Sequence, residues 1–243
     1  MKWNFENTGY LSGKEQMDLD ISNALKLAED NKSQFPLLRI YGWKPWAISL
    51  GKNQVDTSIN YQECSIRGID IVRRPTGGRA VLHANELTYC VTVPCKDTSI
   101  AKKWYESIHL FLLRALSPLH ISDLDYVKSQ PSFTNHYTTD MSKACFTASA
   151  QYEVECKGKK IIGSAQMVHD NVLLQHGSIL LHNDHLAIAE LITRNDNEKR
   201  SLYEYLDHSS IDLSTILSRE VTYEECSDLI YNEFMIHHSI PFL

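Results

Sequence analysis

Three short stretches of this chain hold residue types whose spacing suits chemistry. The first is Arg73-Arg74-Pro75-Thr76-Gly77-Gly78-Arg79-Ala80-Val81. Adjacent glycines permit positive φ and remove the side chains that would hold a ligand away. Exposed amides there can form an anion nest, and guanidinium groups can fork onto a phosphate or a carboxylate. The plainer reading is a glycine turn in a hairpin flanked by solvated arginines. The second stretch, Lys160-Ile161-Ile162-Gly163-Ser164-Ala165-Gln166, places an ammonium ahead of three small residues. It would stabilise negative charge growing on the carbonyl oxygen of a close-lying ligand; the alternative is a solvated lysine at a hairpin. The third, Gln175-His176-Gly177-Ser178-Ile179, continues the small-residue theme and adds a histidine. A histidine in a strand is more often structural than catalytic, and a direct role needs both geometry and pKa to suit.

Between the first two stretches lies Cys145. A thiolate attacks a thioester readily and forms another thioester of similar energy, so cysteine is a good relay between two acyl carriers. Lys160, His83 or His176 would lower its pKa. In isolation the same residue reads as a packed thiol. The six cysteines form no Cys-x-x-Cys pair and the histidines no His-Glu-x-x-His, so no zinc or other metal site is expected.

The composition bounds the function. The chain has 243 residues, 43% hydrophobic and 22% charged, with a formal net charge of -6. That is enough apolar content for a core and too little charge for a disordered chain. The acidic balance disfavours general nucleic-acid binding, which wants a basic footprint. The first residues carry no basic-then-apolar leader and no apolar run is long enough to span a bilayer, so the cytoplasm is the expected compartment.

The elements that must position these residues follow from periodicity. Met17, Ile21, Ala24, Leu25 and Ala28 make one stripe of a helix over 14–30, with Asp18 and Asp20 in its early turns, where acids suit the helix dipole. Residues 37–41 and 47–51 read as paired strands linked by Gly42-Trp43-Lys44-Pro45. A strand at 69–73 delivers the chain into the first glycine loop. Strands follow at 80–83 and 87–93, the latter alternating as a half-exposed strand should. A second helical stripe runs from Ile100 to Ala115 and ends at Pro118. Residues 127–143 read as a long loop. A strand around 152–156, a turn at Gly158, and strands at 160–168 and 171–181 come next. Helices are expected at 185–194, weakly at 201–206, and at 222–236, the last with a Thr222–Glu225 capping box. The sum is one α+β domain over residues 1–243: a mixed, largely antiparallel sheet flanked by helices.

With these residues in hand, the chain resembles the biotin/lipoate A/B protein ligase family. Residues 73–83 followed by Glu86-Leu87-Thr88-Tyr89 look like its signature loop. Arg79 stands where ATP-dependent lipoate ligases typically carry a third glycine, which looks more like the octanoyltransferase branch. Cys145-Phe146, Tyr152-Glu153, Lys160, Gly163-Ser164-Ala165-Gln166 and Leu174 to Ile179 line up with that branch. Ala84 stands where an aspartate is frequent, Cys90 where a serine is usual, and Ser149-Ala150 where Pro-Ser is usual.

The resemblance implies the catalytic fold shared with class II aminoacyl-tRNA synthetases and biotin protein ligases. It implies transfer of octanoyl from acyl carrier protein to the lipoyl-domain lysine of a 2-oxoacid dehydrogenase subunit or of glycine cleavage H protein. Cys145 would hold the acyl thioester and Lys160 would assist it. Arg73, Arg74, Thr76, Gly77, Gly78, Arg79, His83, Gly163, Ser164, Ala165, His176 and Gly177 would form the substrate site. No cofactor is implied. Acidic partners would meet a local basic patch drawn from Lys102, Lys103, Lys157, Lys159, Arg73 and Arg74. Three other readings stay open: an ATP-dependent lipoate ligase, with ATP and magnesium, in which Cys145 is incidental; an amidotransferase moving octanoyl between acceptor proteins; and a non-catalytic acyl- or carrier-binding module.

Overall fold

The computed structural model describes residues 2–29, 35–55, 58–127 and 153–243. Cys145, Ser149 and Ala150 lie outside them.

Among the described residues two sheets form the frame. The larger has seven strands: β1 (Asn4–Leu11), β2 (Leu37–Trp43), β6 (Glu86–Pro94), β10 (Val172–Leu180), β9 (Lys159–His169), β8 (Glu153–Cys156) and β7 (Leu124–Val127), in that spatial order. In the smaller, β3 (Ala47–Leu50) lies between β4 (Asp70–Arg73) and β5 (Val81–His83). Among the described strand pairs β1–β2 and β3–β4 run parallel and the others antiparallel. The helices are α1 (Gly13–Glu29), α2 (Tyr61–Ile66), α3 (Thr98–Leu116), α4 (Ile188–Leu191), α5 (Asp196–Ser209), α6 (Leu213–Leu217) and α7 (Tyr223–His237). Among the described residues no helix is long and apolar enough to cross a membrane.

β6 shows why the large sheet holds together. Its odd-numbered side chains, Leu87, Tyr89, Val91 and Val93, pack against Ile108, Phe111 and Leu112 of α3 and Ile230 and Phe234 of α7. Each large apolar side chain taken fully out of water contributes about 1.5–3 kcal/mol. The even-numbered residues were expected to face solvent. Instead Thr88, Cys90 and Thr92 are each 2% exposed, because α1 and the smaller sheet cover that face as well. Burial on both faces makes the polar members seek partners: the Thr88 hydroxyl accepts from Nε1 of Trp43 at 2.7 Å and donates to Glu86 Oε1 at 2.6 Å.

The expected pairing of 37–41 with 47–51 does not occur. β2 pairs β1 and β6, whereas β3 pairs β4 and β5. The chain passes from one sheet to the other at Lys44-Pro45-Trp46, and proline there has no N–H to extend a ladder. β1 and β7 were not anticipated: β1 carries few apolar residues and lies at the sheet edge. The weak helix at 201–206 is the middle of α5, whose Asn195 side chain accepts from the Glu198 N–H. Only half of the expected capping box forms at α7. Thr222 Oγ1 accepts from the Glu225 N–H at 3.1 Å, but the Glu225 carboxylate turns to Arg219 instead. A box does form at α1, where Ser12 and Glu15 cap each other.

Candidate active site

The even-numbered face of the large sheet, α1 and the smaller sheet enclose a pocket of about 420 Å³ of empty space, counting that at its mouth. Gly163 and Ala165 of β9 and His176 and Ser178 of β10 form the floor, with Tyr41, Trp43 and Thr88 beside them. Met17 of α1 closes one side; Ser49, Val81 and His83 of the smaller sheet, with Arg74, close the other. Small residues are required where β9 and β10 meet. A Cβ on Gly177 would stand 2.5 Å from the Gly163 carbonyl oxygen and 2.6 Å from Ser164 Oγ.

The glycine loop is held by its own arginines. Arg73 Nη1 donates to the carbonyls of Gly51 and Gln54 at 2.7 and 2.8 Å. Arg74, 4% exposed, donates to the carbonyls of Ser49, Gly77 and Arg79 at 2.7–3.1 Å. Gly51 and Gly78 touch backbone to backbone: a Cβ on Gly51 would meet the Gly78 oxygen at 2.0 Å, and Gly78 itself has φ of 99°. So the guanidinium groups bind carbonyl oxygens of this protein and shape the loop.

Two histidines face the pocket, each tied to a buried carboxylate. Nε2 of His83 lies 2.7 Å from Ser49 Oγ and Nδ1 lies 2.8 Å from Glu86 Oε1, with the ring stacked on Trp43 at 4.1 Å. Burial alone would raise the Glu86 carboxyl, but His83 and the Thr88 and Ser178 hydroxyls outweigh it and hold it below the usual range. Oε2 of Glu86 is buried with no hydrogen-bond partner among the described residues. His176 directs Nδ1 to Asp20 Oδ2 at 3.2 Å and Nε2 to Thr76 Oγ1 at 2.7 Å. Burial lowers its pKa against the opposing pull of Asp20. The neutral ring therefore donates from Nδ1 to the carboxylate and accepts from the threonine hydroxyl.

Asp20 was expected to serve the helix dipole. It is fully buried and binds Arg39 of β2, which is also fully buried. Tyr41 Oη donates to the same carboxylate at 2.8 Å, and Arg39 also donates to Thr8 and Gln16. Burial would raise the Asp20 carboxyl, yet the Arg39 guanidinium and His176 bring it down to about 2. On the opposite face of the sheet, Nε2 of His109 lies 2.9 Å from Ser164 Oγ, while Nδ1 donates to the Tyr105 carbonyl at 2.7 Å. Burial lowers the His109 pKa to about 4, so Nε2 accepts from the serine.

Of the residues singled out from sequence, Arg74, His83, Gly163, Ser164, Ala165, His176 and Gly177 line this pocket. Thr76 reaches it through His176. Arg73, Gly77, Gly78 and Arg79 build the loop behind it. Lys160 stands on β9 three residues before Gly163; it is 5% exposed, pairs with Glu155 across β8 and β9, and does not line the pocket. Cys145 lies outside the described residues. Met17, Tyr41, Trp43 and Ser49 were missed, as were Asp20 with Arg39 and Glu86. A cation at Arg39 within an otherwise apolar strand was the available signal, since such a charge must find a partner. Among the described residues, no group of three or more His, Cys, Asp or Glu side chains is arranged to hold a metal.

Residues 15–235 match the lipoyl protein ligase A/B catalytic domain. This chain belongs to that family. It is 33% identical over 238 residues to octanoyltransferase LipM of Kyrpidia tusciae, covering 96% of this chain and 85% of the relative. It is 34% identical to octanoyltransferase LipM of Geobacillus kaustophilus, covering 96% and 84%. The fold matches the bipartite lipoate protein ligase of Thermoplasma acidophilum with a TM-score of 0.74 at 19% identity, over 100% of this chain and 86% of that one. It also matches a lipoate-protein ligase A bound with ATP, with a TM-score of 0.71 at 18% identity, over 97% and 85%. The chain is an acyltransferase with the mixed sheet and flanking helices of the lipoate ligase catalytic fold.

Proposed function

We propose that this enzyme is an octanoyltransferase of protein lipoylation, taking octanoyl from acyl carrier protein through a Cys145 thioester to a lipoyl-domain lysine. The observation that carries the reading is the pocket: carbon-walled, with two histidines each tied to a buried carboxylate and an arginine turned onto the protein's own carbonyls. Such walls suit a hydrocarbon chain better than a triphosphate. The LipM relatives point the same way.

In the first step the Cys145 thiolate attacks the donor thioester carbon; the donor C–S bond breaks, and the carrier thiol leaves as thiolate and takes up a proton. In the second the neutral acceptor amine attacks the Cys145 thioester, an amide forms, and Cys145 leaves as thiolate while the amine gives up a proton. Both leaving groups are thiolates, so neither step needs a nucleotide or another cofactor. Lys160 is assigned to the developing oxyanion and the thiolate. The acceptors are lipoyl domains of 2-oxoacid dehydrogenases and glycine cleavage H protein.

Intact-protein mass spectrometry tests this. Octanoyl-carrier protein is expected to leave one octanoyl group on the wild type and none on Cys145→Ala. An equal adduct on the variant removes Cys145 from the mechanism. Modification of an acceptor by lipoate and ATP without carrier protein replaces the transferase with a ligase.

A further inference from the structure

A second apolar cavity, of about 390 Å³ counting the space at its mouth, lies on the same sheet face as the pocket. Each wall of one continues into the other. On β10 the pocket takes His176 and the second cavity takes Leu174; on β9 they take Ala165 and Met167; on α1, Met17 and then Ile21, one turn on. Along the glycine loop the pocket takes Arg74 and the second cavity Pro75. Met17 and Leu174 belong to one apolar cluster, with Met167 and Ala24 packed on it.

Across this line stands His176. Nδ1 is fixed to Asp20, next to Ile21, and Nε2 to Thr76, next to Pro75. Its ring lines the pocket and is thus tethered to the chain neighbours of Ile21 and Pro75, which line the second cavity. We propose that His176 is the end wall that sets acyl length, and that the cavity beyond it accepts the methyl end of a longer chain once that wall is shortened. This inference rests on the pocket's being an acyl chamber.

The test measures binding of octanoate, dodecanoate and hexadecanoate by calorimetry, with tryptophan fluorescence as a second reading, since Trp43 lines the pocket. Four proteins are compared: wild type, H176A, A24L and H176A/A24L. H176N is made in parallel because it keeps a donor for Asp20 while opening the same passage. Wild type is expected to prefer octanoate. H176A and H176N gain for dodecanoate, about tenfold for every two methylenes newly buried. A24L fills only the second cavity, so it leaves octanoate binding by the wild type unchanged and cancels the long-chain gain in H176A. A folded H176A or H176N with no long-chain gain overturns the proposal, as does a gain that A24L leaves intact. Failure of the wild type to bind any of the three overturns the acyl chamber itself, and this inference with it.

Discussion

Oγ1 of Thr76 lies 2.7 Å from Nε2 of His176, one hundred residues further along the chain. The contact ties the glycine loop, which grows out of the smaller sheet, to the central strands of the larger one. Thr76→Val keeps the shape and removes the hydroxyl, leaving a buried ring nitrogen without its donor, at a cost of about 1–3 kcal/mol. Octanoate affinity is expected to fall accordingly in calorimetry, and Thr76→Ser to restore most of it. Equal affinity in all three proteins counts against the contact.

Arg39→Met strands the buried Asp20 carboxylate. Removing one partner of a buried pair costs about 3–5 kcal/mol. Urea unfolding is expected to show the loss, and pairing the change with Asp20→Asn to recover part of it. Additive losses in the double variant argue that the two residues do not act as a unit.

His109 gives stability a pH dependence whose sign is fixed. Burial lowers its folded pKa from 6.5 to about 4, so the unfolded chain takes up the proton first. The contribution is full above pH 6.5 and declines as pH falls towards 4, amounting to about 3 kcal/mol. His109→Gln is expected to flatten that slope in unfolding measurements; His176, lowered in the same direction, leaves a residue of it. An unchanged slope removes His109 from the account.

Gly51→Ala places a methyl carbon 2.0 Å from the Gly78 oxygen. The glycine loop must move, so thermal unfolding is expected to come earlier, by the ~1–3 kcal/mol of an overpacked site. Octanoate binding is expected to weaken with it. Gly77→Ala, where a Cβ meets nothing within 4 Å, serves as the control and is expected to leave stability within about 0.5 kcal/mol.

The sequence shows β10 as an apolar run bounded by turns and the helices α1, α3 and α7 as apolar stripes. What it misreads is exposure, where an alternating strand is buried on both faces. Thr88, Cys90 and Thr92 alternate like a solvent face yet sit beneath α1. For the same reason a single sheet was expected where two pack together. Glycine spacing points to the loop and to Gly163 and Gly177, but nothing local shows that Arg73 and Arg74 bond carbonyls at Ser49, Gly51 and Gln54. Trp43 and Ser49 join the site only through the meeting of the two sheets, a contact that no short window of sequence contains.

Arg74 links the Ser49 carbonyl of β3 to the carbonyls of Gly77 and Arg79. The glycine loop and the smaller sheet are therefore bound to each other, and the pocket is a seam between them and the larger sheet. A ligand held at such a seam would be expected to leave, under heat or denaturant, before the β-sheet signal is lost, and a fatty acid that binds there to act as a rivet that brings the two events together.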